Sequence, residues 1–163
     1  MKRTLIDATV AVALVAMPLE TPDRNKQVVR RLYEDCINRN RPELLPELIS
    51  GDFVGPGGKG PSGFGSNIDS LRAGFPDVRF TVHDLVAEGD RVAVRWTWEA
   101  THTGTFQVWA PTGKRVTNSG NVIYQLEQGK VVRVWLEADR LGVLQQIGVI
   151  PPSLVPGARP ASR

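Results

Sequence analysis

The chain is poor in the residues that build metal and redox centres. Among 163 residues there is one cysteine, Cys36, and there are two histidines, His83 and His102. A single cysteine excludes an intrachain disulfide framework and leaves the redox compartment unread. Two histidines far apart in sequence leave no dense metal-ligand cluster, so no metal or other cofactor is expected. Charge of one sign is also lacking. The formal net charge is +3, from 20 Lys and Arg against 17 Asp and Glu. Lys2 and Arg3 cancel Asp7 and Glu20, while Arg159 and Arg163 sit in the last residues, which leaves +1 for the body of the chain. No basic stripe remains to meet a phosphate backbone, so nucleic acid is not an expected partner. Long hydrophobic runs are missing too. The apolar stretch from Thr4 to Met17 is interrupted by Asp7 and is too short for a membrane span.

What is present is an ordinary soluble composition, 41% hydrophobic and 23% charged, long enough for one domain with a real core. Lys2, Arg3, the apolar run and Ala11-Val12-Ala13 outline a signal-like segment. The alternative is a retained apolar arm packed on the domain or on a second subunit. The expected organisation is therefore an arm or signal over 1–22, a domain over 23–150, and a disordered proline-rich tail over 151–163. A cytoplasmic location is expected, with the periplasm or secretion as the alternative if the first residues are a signal.

Thr21-Pro22-Asp23 reads as a helix start. Val28, Val29, Leu32, Tyr33, Cys36 and Ile37 follow at helical spacing. Pro42 opens a second, short helix, and Asp52 to Val54 is a brief extended piece. Residues 55–65 hold six glycines and two prolines, which predicts a mobile loop without regular structure. A third helix is expected at about 67–75. From Val78 the period changes to two, with turns at Glu88-Gly89-Asp90 and Gln128-Gly129. Three helices, a four-stranded antiparallel meander and a short last helix make an α+β domain. A long twisted sheet curls, and one amphipathic helix on its concave side leaves a tapered hollow. Trp96 and Trp98, two apart on one strand, are candidates to line it.

The last strand is the most suggestive segment. Alternation puts Val131, Arg133, Trp135, Glu137 and Asp139 on one face and Val132, Val134, Leu136 and Ala138 on the other. A carboxylate in an apolar hollow beside an indole acquires a raised pKa and can transfer protons. Asp139 and Glu137 are accordingly acid/base candidates, and Trp135 a candidate aromatic wall. The structural alternatives are a helix cap or an ion pair for Asp139, an outward pair with Arg133 for Glu137, and core filling for Trp135. Which face turns inward is not fixed by the pattern.

Several segments together resemble the SnoaL-like polyketide cyclase and ester cyclase family. They are Asn25 to Tyr33, Phe75 to Val82, Glu88 to Trp96, Thr101-His-Thr-Gly104, Pro111 to Val116, Gly129 to Val132, Asp139 and Leu144-Gln-Gln-Ile-Gly148. The resemblance covers about residues 23–150. It implies the nuclear transport factor 2-like fold, a cone of three N-terminal helices on a curved, mainly antiparallel sheet, commonly dimeric through that sheet. It implies an intramolecular aldol cyclisation, or a related isomerase or lyase reaction, without cofactor, on a small hydrophobic oxygenated molecule. An aspartate at the position of Asp139 is the family's acid/base. The histidine that the characterised cyclases carry near Val122-Ile-Tyr124 has no counterpart here.

Further candidates follow. His102, at a strand end, is a donor to a substrate carbonyl or a structural turn residue. Tyr33 and Tyr124 are ligand-binding candidates, and Asn118 and Asn121 are amide contacts of lesser weight. Phe106 and Trp109, with Val108 and Pro111, form an apolar loop that grips a flat ligand or a second subunit. A non-catalytic binding module or dimeric adaptor of the same fold is the rival reading.

Overall fold

The computed structural model describes residues 21–151. The expectations for the N-terminal arm and for the tail fall largely outside them. Among the described residues no helix is long and apolar enough to cross a membrane.

The first helix begins as its capping signals require. Thr21 Oγ1 accepts from Arg24 N at 3.3 Å, Pro22 occupies the first turn, and α1 runs Pro22–Arg31. It continues as a π-helical segment, Leu32–Ile37. The wider turn aims two adjacent pairs, Leu32 with Tyr33 and Cys36 with Ile37, at the sheet, and all four are buried. Asn38 fastens the end of this segment to the sheet: its Nδ2 donates to Phe80 O and its Oδ1 accepts from Phe80 N, both at 2.8 Å. A 3-10 turn (Pro42–Leu44) leads into the short α2, Leu45–Leu48, and then β1, Ile49–Gly55.

The glycine-rich segment is not an irregular loop. β2 (Gly58–Lys59) pairs antiparallel with β1, and α3 runs Gly60–Gly74, starting about seven residues before the expected helix. Pro61 sits in the first helical turn, where its missing N–H costs nothing. Gly63 is buried against the backbone of Gly58, where a Cβ would collide. The glycines here serve close packing of a helix on a hairpin, not freedom of the chain.

The remaining strands are β3 (Arg79–Glu88), β4 (Arg91–Thr101), β5 (Arg115–Glu127) and β6 (Lys130–Ala138), followed by α4 (Arg140–Ile147). The expected meander is present inside a six-stranded sheet of order β2-β1-β6-β5-β4-β3, with β1 added parallel to β6. The β5–β6 turn holds Gln128 and Gly129 at φ 51° and 75°, the paired positive values that suit a tight hairpin. The curved sheet and its helices form an α+β cone. On its inner face Val92, Val94, Trp96, Trp98, Val116, Val122, Tyr124 and Leu126 are buried, and α1 with the π segment packs Val29, Leu32 and Tyr33 against them.

Candidate functional site

The helices do not fill the cone. A cavity of about 510 Å³ remains between the sheet, α3, α4 and the loop after β4. That is within the usual range for small-molecule sites. Its wall is mainly apolar: Phe53, Phe64, Ile68 and Leu71 from β1 and α3, Phe80, Trp96, Trp98 and Val122 from the meander, and Val134, Leu136 and Ala138 from β6.

At the buried end stands a pair of phenols. Tyr33 Oη and Tyr124 Oη lie 2.8 Å apart, and the two side chains are 2% and 3% exposed. One phenol donates to the other, so one O–H proton and several lone pairs remain. Burial, first of all, pushes both phenols well above the usual tyrosine range. At neutral pH both are protonated, and they act as donors, not bases. An aromatic chain continues from them: Phe80 lies 5.7 Å from Tyr33 and meets the Trp96 ring edge-on at 5.1 Å. Trp96 lies flat across β5 because Gly120 lets it: a Cβ at position 120 would fall 2.5 Å from the indole.

The other polar groups are few. Asn118 Oδ1 accepts from Ser119 N at 2.8 Å, which fixes the amide and leaves its Nδ2 without a partner among the described residues. Asn67, Ser70, Thr105 and Gln107 line the more exposed part, and Arg140 is the wall's one charged residue among those described.

Of the residues singled out in the sequence, the cavity brings together Tyr33, Tyr124, Trp96, Trp98, Phe106 and Asn118. Trp109 is half-buried behind them, exchanging two backbone hydrogen bonds with Phe106 at 2.9 and 3.0 Å. His102 is fully buried yet outside the wall. Its Nδ1 lies 3.0 Å from Thr112 Oγ1 and its ring packs 5.1 Å from Phe75. Its carbonyl accepts from Thr112 N and Gly113 N. It organises the loop that carries Phe106, which matches its structural alternative and not a contact to a ligand carbonyl.

The last strand turns the other way from the catalytic expectation. Val131 is wholly buried, as the hydrophobic pattern suggests, but the β5–β6 register shifts between Gln125 and Leu126, so that Leu126 pairs with Val131 and Gln125 with Arg133. This bulge at Val132 reverses the alternation. Beyond it Val134, Leu136 and Ala138 face inward, and Arg133, Trp135 and Glu137 face outward. Trp135 is 42% exposed, with the guanidinium of Arg91 5.4 Å and that of Arg133 5.8 Å from its ring centre. Glu137 is exposed, and Asn121 shares that outer face. Asp139 is exposed and absent from the wall. It caps α4, its Oδ1 accepting from Gly142 N at 2.8 Å. The placement of these three residues in the hollow is therefore corrected. What the sequence reading missed is the α3 wall, hidden by its glycines, and Arg140.

Comparison with known proteins gives the same architecture. The family model described as SnoaL-like polyketide cyclase matches residues 27–147. TsrD from Streptomyces laurentii superposes with a TM-score of 0.74 at 23% identity, over 80% of this chain and 98% of its own. IdmH from Streptomyces antibioticus gives 0.68 at 29%, over 76% and 98%. A SnoaL-like polyketide cyclase from Agrobacterium tumefaciens gives 0.65 at 27%, over 76% and 99%. No curated protein matches the chain. The family match spans most of the described domain and those structures share its fold, so this chain belongs to the SnoaL-like polyketide cyclase family.

Proposed function

We propose that the cavity takes up a small hydrophobic, oxygenated molecule and that the protein rearranges it by proton transfer, as a cofactor-independent cyclase or isomerase. The observation that carries this reading is an apolar cavity of about 510 Å³ with a protonated phenol pair at its buried end. A phenol that cannot ionise is a standing donor to an oxygen on which charge develops, as on the enolate of a ring-closing aldol step. The base must come from elsewhere, since among the described residues the wall holds no Asp, Glu or His. Three carboxylates, Asp69, Glu137 and Asp139, are flanked on both sides by wall residues. Glu137 points to the outer sheet face and Asp69 is exposed on α3, whereas Asp139 stands at the end of β6 beside Arg140. In this reading Asp139 takes the proton from carbon beside a carbonyl and returns it to the new alkoxide.

The exposure of Asp139 favours a second reading, binding without turnover. Asp139→Asn separates the two, because asparagine caps a helix as well as aspartate does. Loss of turnover with binding retained supports catalysis. Recovery of an unchanged, stoichiometric ligand from wild-type protein by native mass spectrometry supports the binding module.

The protein is further proposed to pair with a second copy through the outer sheet face. Val86, Ala93, Ile123 and Trp135 are direct neighbours across four strands and all are exposed. This apolar row, flanked by charged residues, is the surface that a two-fold partner would cover.

A further inference from the structure

The wall of the cavity is chemically one-sided. Among the described residues its only charged member is Arg140, and no Asp, Glu, Lys or His joins it. Arg140 has no ion-pair or hydrogen-bond partner among the described residues, although eight salt bridges tie up other charges of the domain. Its sequence neighbour does not neutralise it: the Asp139 carboxylate is turned to Gly142 N. The sheet ladder continues to Asp139 N, which donates to Ser119 O at 3.3 Å. That step sets Arg140 at the same strand end as Asn118, whose Nδ2 protons have no acceptor among the described residues. The open end of the cavity thus offers a guanidinium and an amide donor, and its buried end offers the spare phenol proton of the Tyr33–Tyr124 pair.

A hydrocarbon would leave these donors unmatched, and an uncharged ester could accept from them but would leave the guanidinium charge uncompensated. We propose that the ligand is a hydrophobic acid: an apolar, carbonyl-bearing body held inside the cone, with an anionic oxygen group at the mouth against Arg140 and Asn118. This rests on the binding reading above and sharpens it. The guanidinium presents paired donors in a plane, which suits a carboxylate or the oxygens of an acidic enol. Arg140 is exposed, so solvent and salt screen the attraction.

The test uses three probes on the full chain: anthraquinone carboxylate, its methyl ester, and anthracene carboxylate, followed by quenching of tryptophan fluorescence. Trp96 and Trp98 in the wall are the reporters. The acid should bind about three- to tenfold tighter than the ester at low salt, the range for a screened charge-assisted contact, and the gap should narrow as salt is added. Arg140→Gln should remove the gap by weakening the acid and leaving the ester unchanged. The anthraquinone acid should also bind more tightly than the more apolar anthracene acid, because only the former supplies carbonyl acceptors. Equal binding of acid and ester, or an acid preference that survives Arg140→Gln, overturns the assignment while leaving the cavity reading intact. Anthracene carboxylate binding as tightly as the anthraquinone acid overturns the carbonyl-bearing part. Failure of all three probes to bind overturns the cavity reading itself.

Discussion

The chain has two tyrosines, and both belong to the buried phenol pair. The tyrosinate absorbance band therefore reports on the inner end of the cavity alone. An unfolded tyrosine ionises near pH 10. In the folded protein burial raises both phenols well above that value. Above about pH 10 the unfolded state thus releases protons that the folded state keeps. Stability is fully present below pH 10 and falls as pH rises toward the folded values. Each phenol contributes a slope of about 1.4 kcal/mol per pH unit, so the pair contributes about 2.7 kcal/mol per unit. A loss of that size over a single pH unit is already a sizeable share of the stability of a small domain. The assay follows the near-ultraviolet tyrosinate band and far-ultraviolet circular dichroism on one sample. Both tyrosines should ionise together with loss of secondary structure. Tyr33→Phe should leave one ionisation and about half the pH slope. A tyrosinate band that grows near pH 10 while the protein remains folded would refute the argument, since it would mean that water reaches the phenols.

Three further outcomes follow from particular contacts. Gly120→Ala puts a methyl group 2.5 Å from the Trp96 indole and 2.8 Å from Glu137 O, and should cost about 1–3 kcal/mol in urea unfolding while weakening probe binding. Asp139→Ala should lose about 1 kcal/mol through the missing cap and Asp139→Asn close to none, so a large loss in the asparagine variant would show that the capping geometry is misassigned. Trp135→Glu should leave unfolding stability nearly unchanged and shift sedimentation to the monomer; a dimer that persists would place the partner on another face.

Much of the architecture was legible because its signals are local. The capped start at Thr21, the helical stripe ending at Ile37 and the period-two strands with glycine turns each follow from a few neighbouring residues. Trp96, Trp98 and Tyr124 could be placed in the hollow for the same reason, as their strand parity is unbroken, and Tyr33 because it lies on the apolar helical stripe. Two features were not legible. The glycines of 57–65 look like a loop in sequence, but Gly63 meets the Gly58 backbone, a contact set by tertiary packing. The bulge at Val132 leaves no compositional mark in a run of valines, yet it sends Trp135 and Glu137 to the outside. One unpaired residue in a strand thus decided the fate of the most attractive candidates, and Asp139 went to a helix cap that its position just before Arg140 also allowed.

The central claim is that the ligand sits inside the cone against Trp96 and not on the outer sheet face. The protein has four tryptophans, so side-chain indole N–H signals in a nitrogen-15 correlation spectrum give a compact readout. Titration with anthraquinone carboxylate should move the Trp96 and Trp98 signals saturably and leave Trp135 in place. Movement of Trp135 with Trp96 and Trp98 unperturbed would contradict the account.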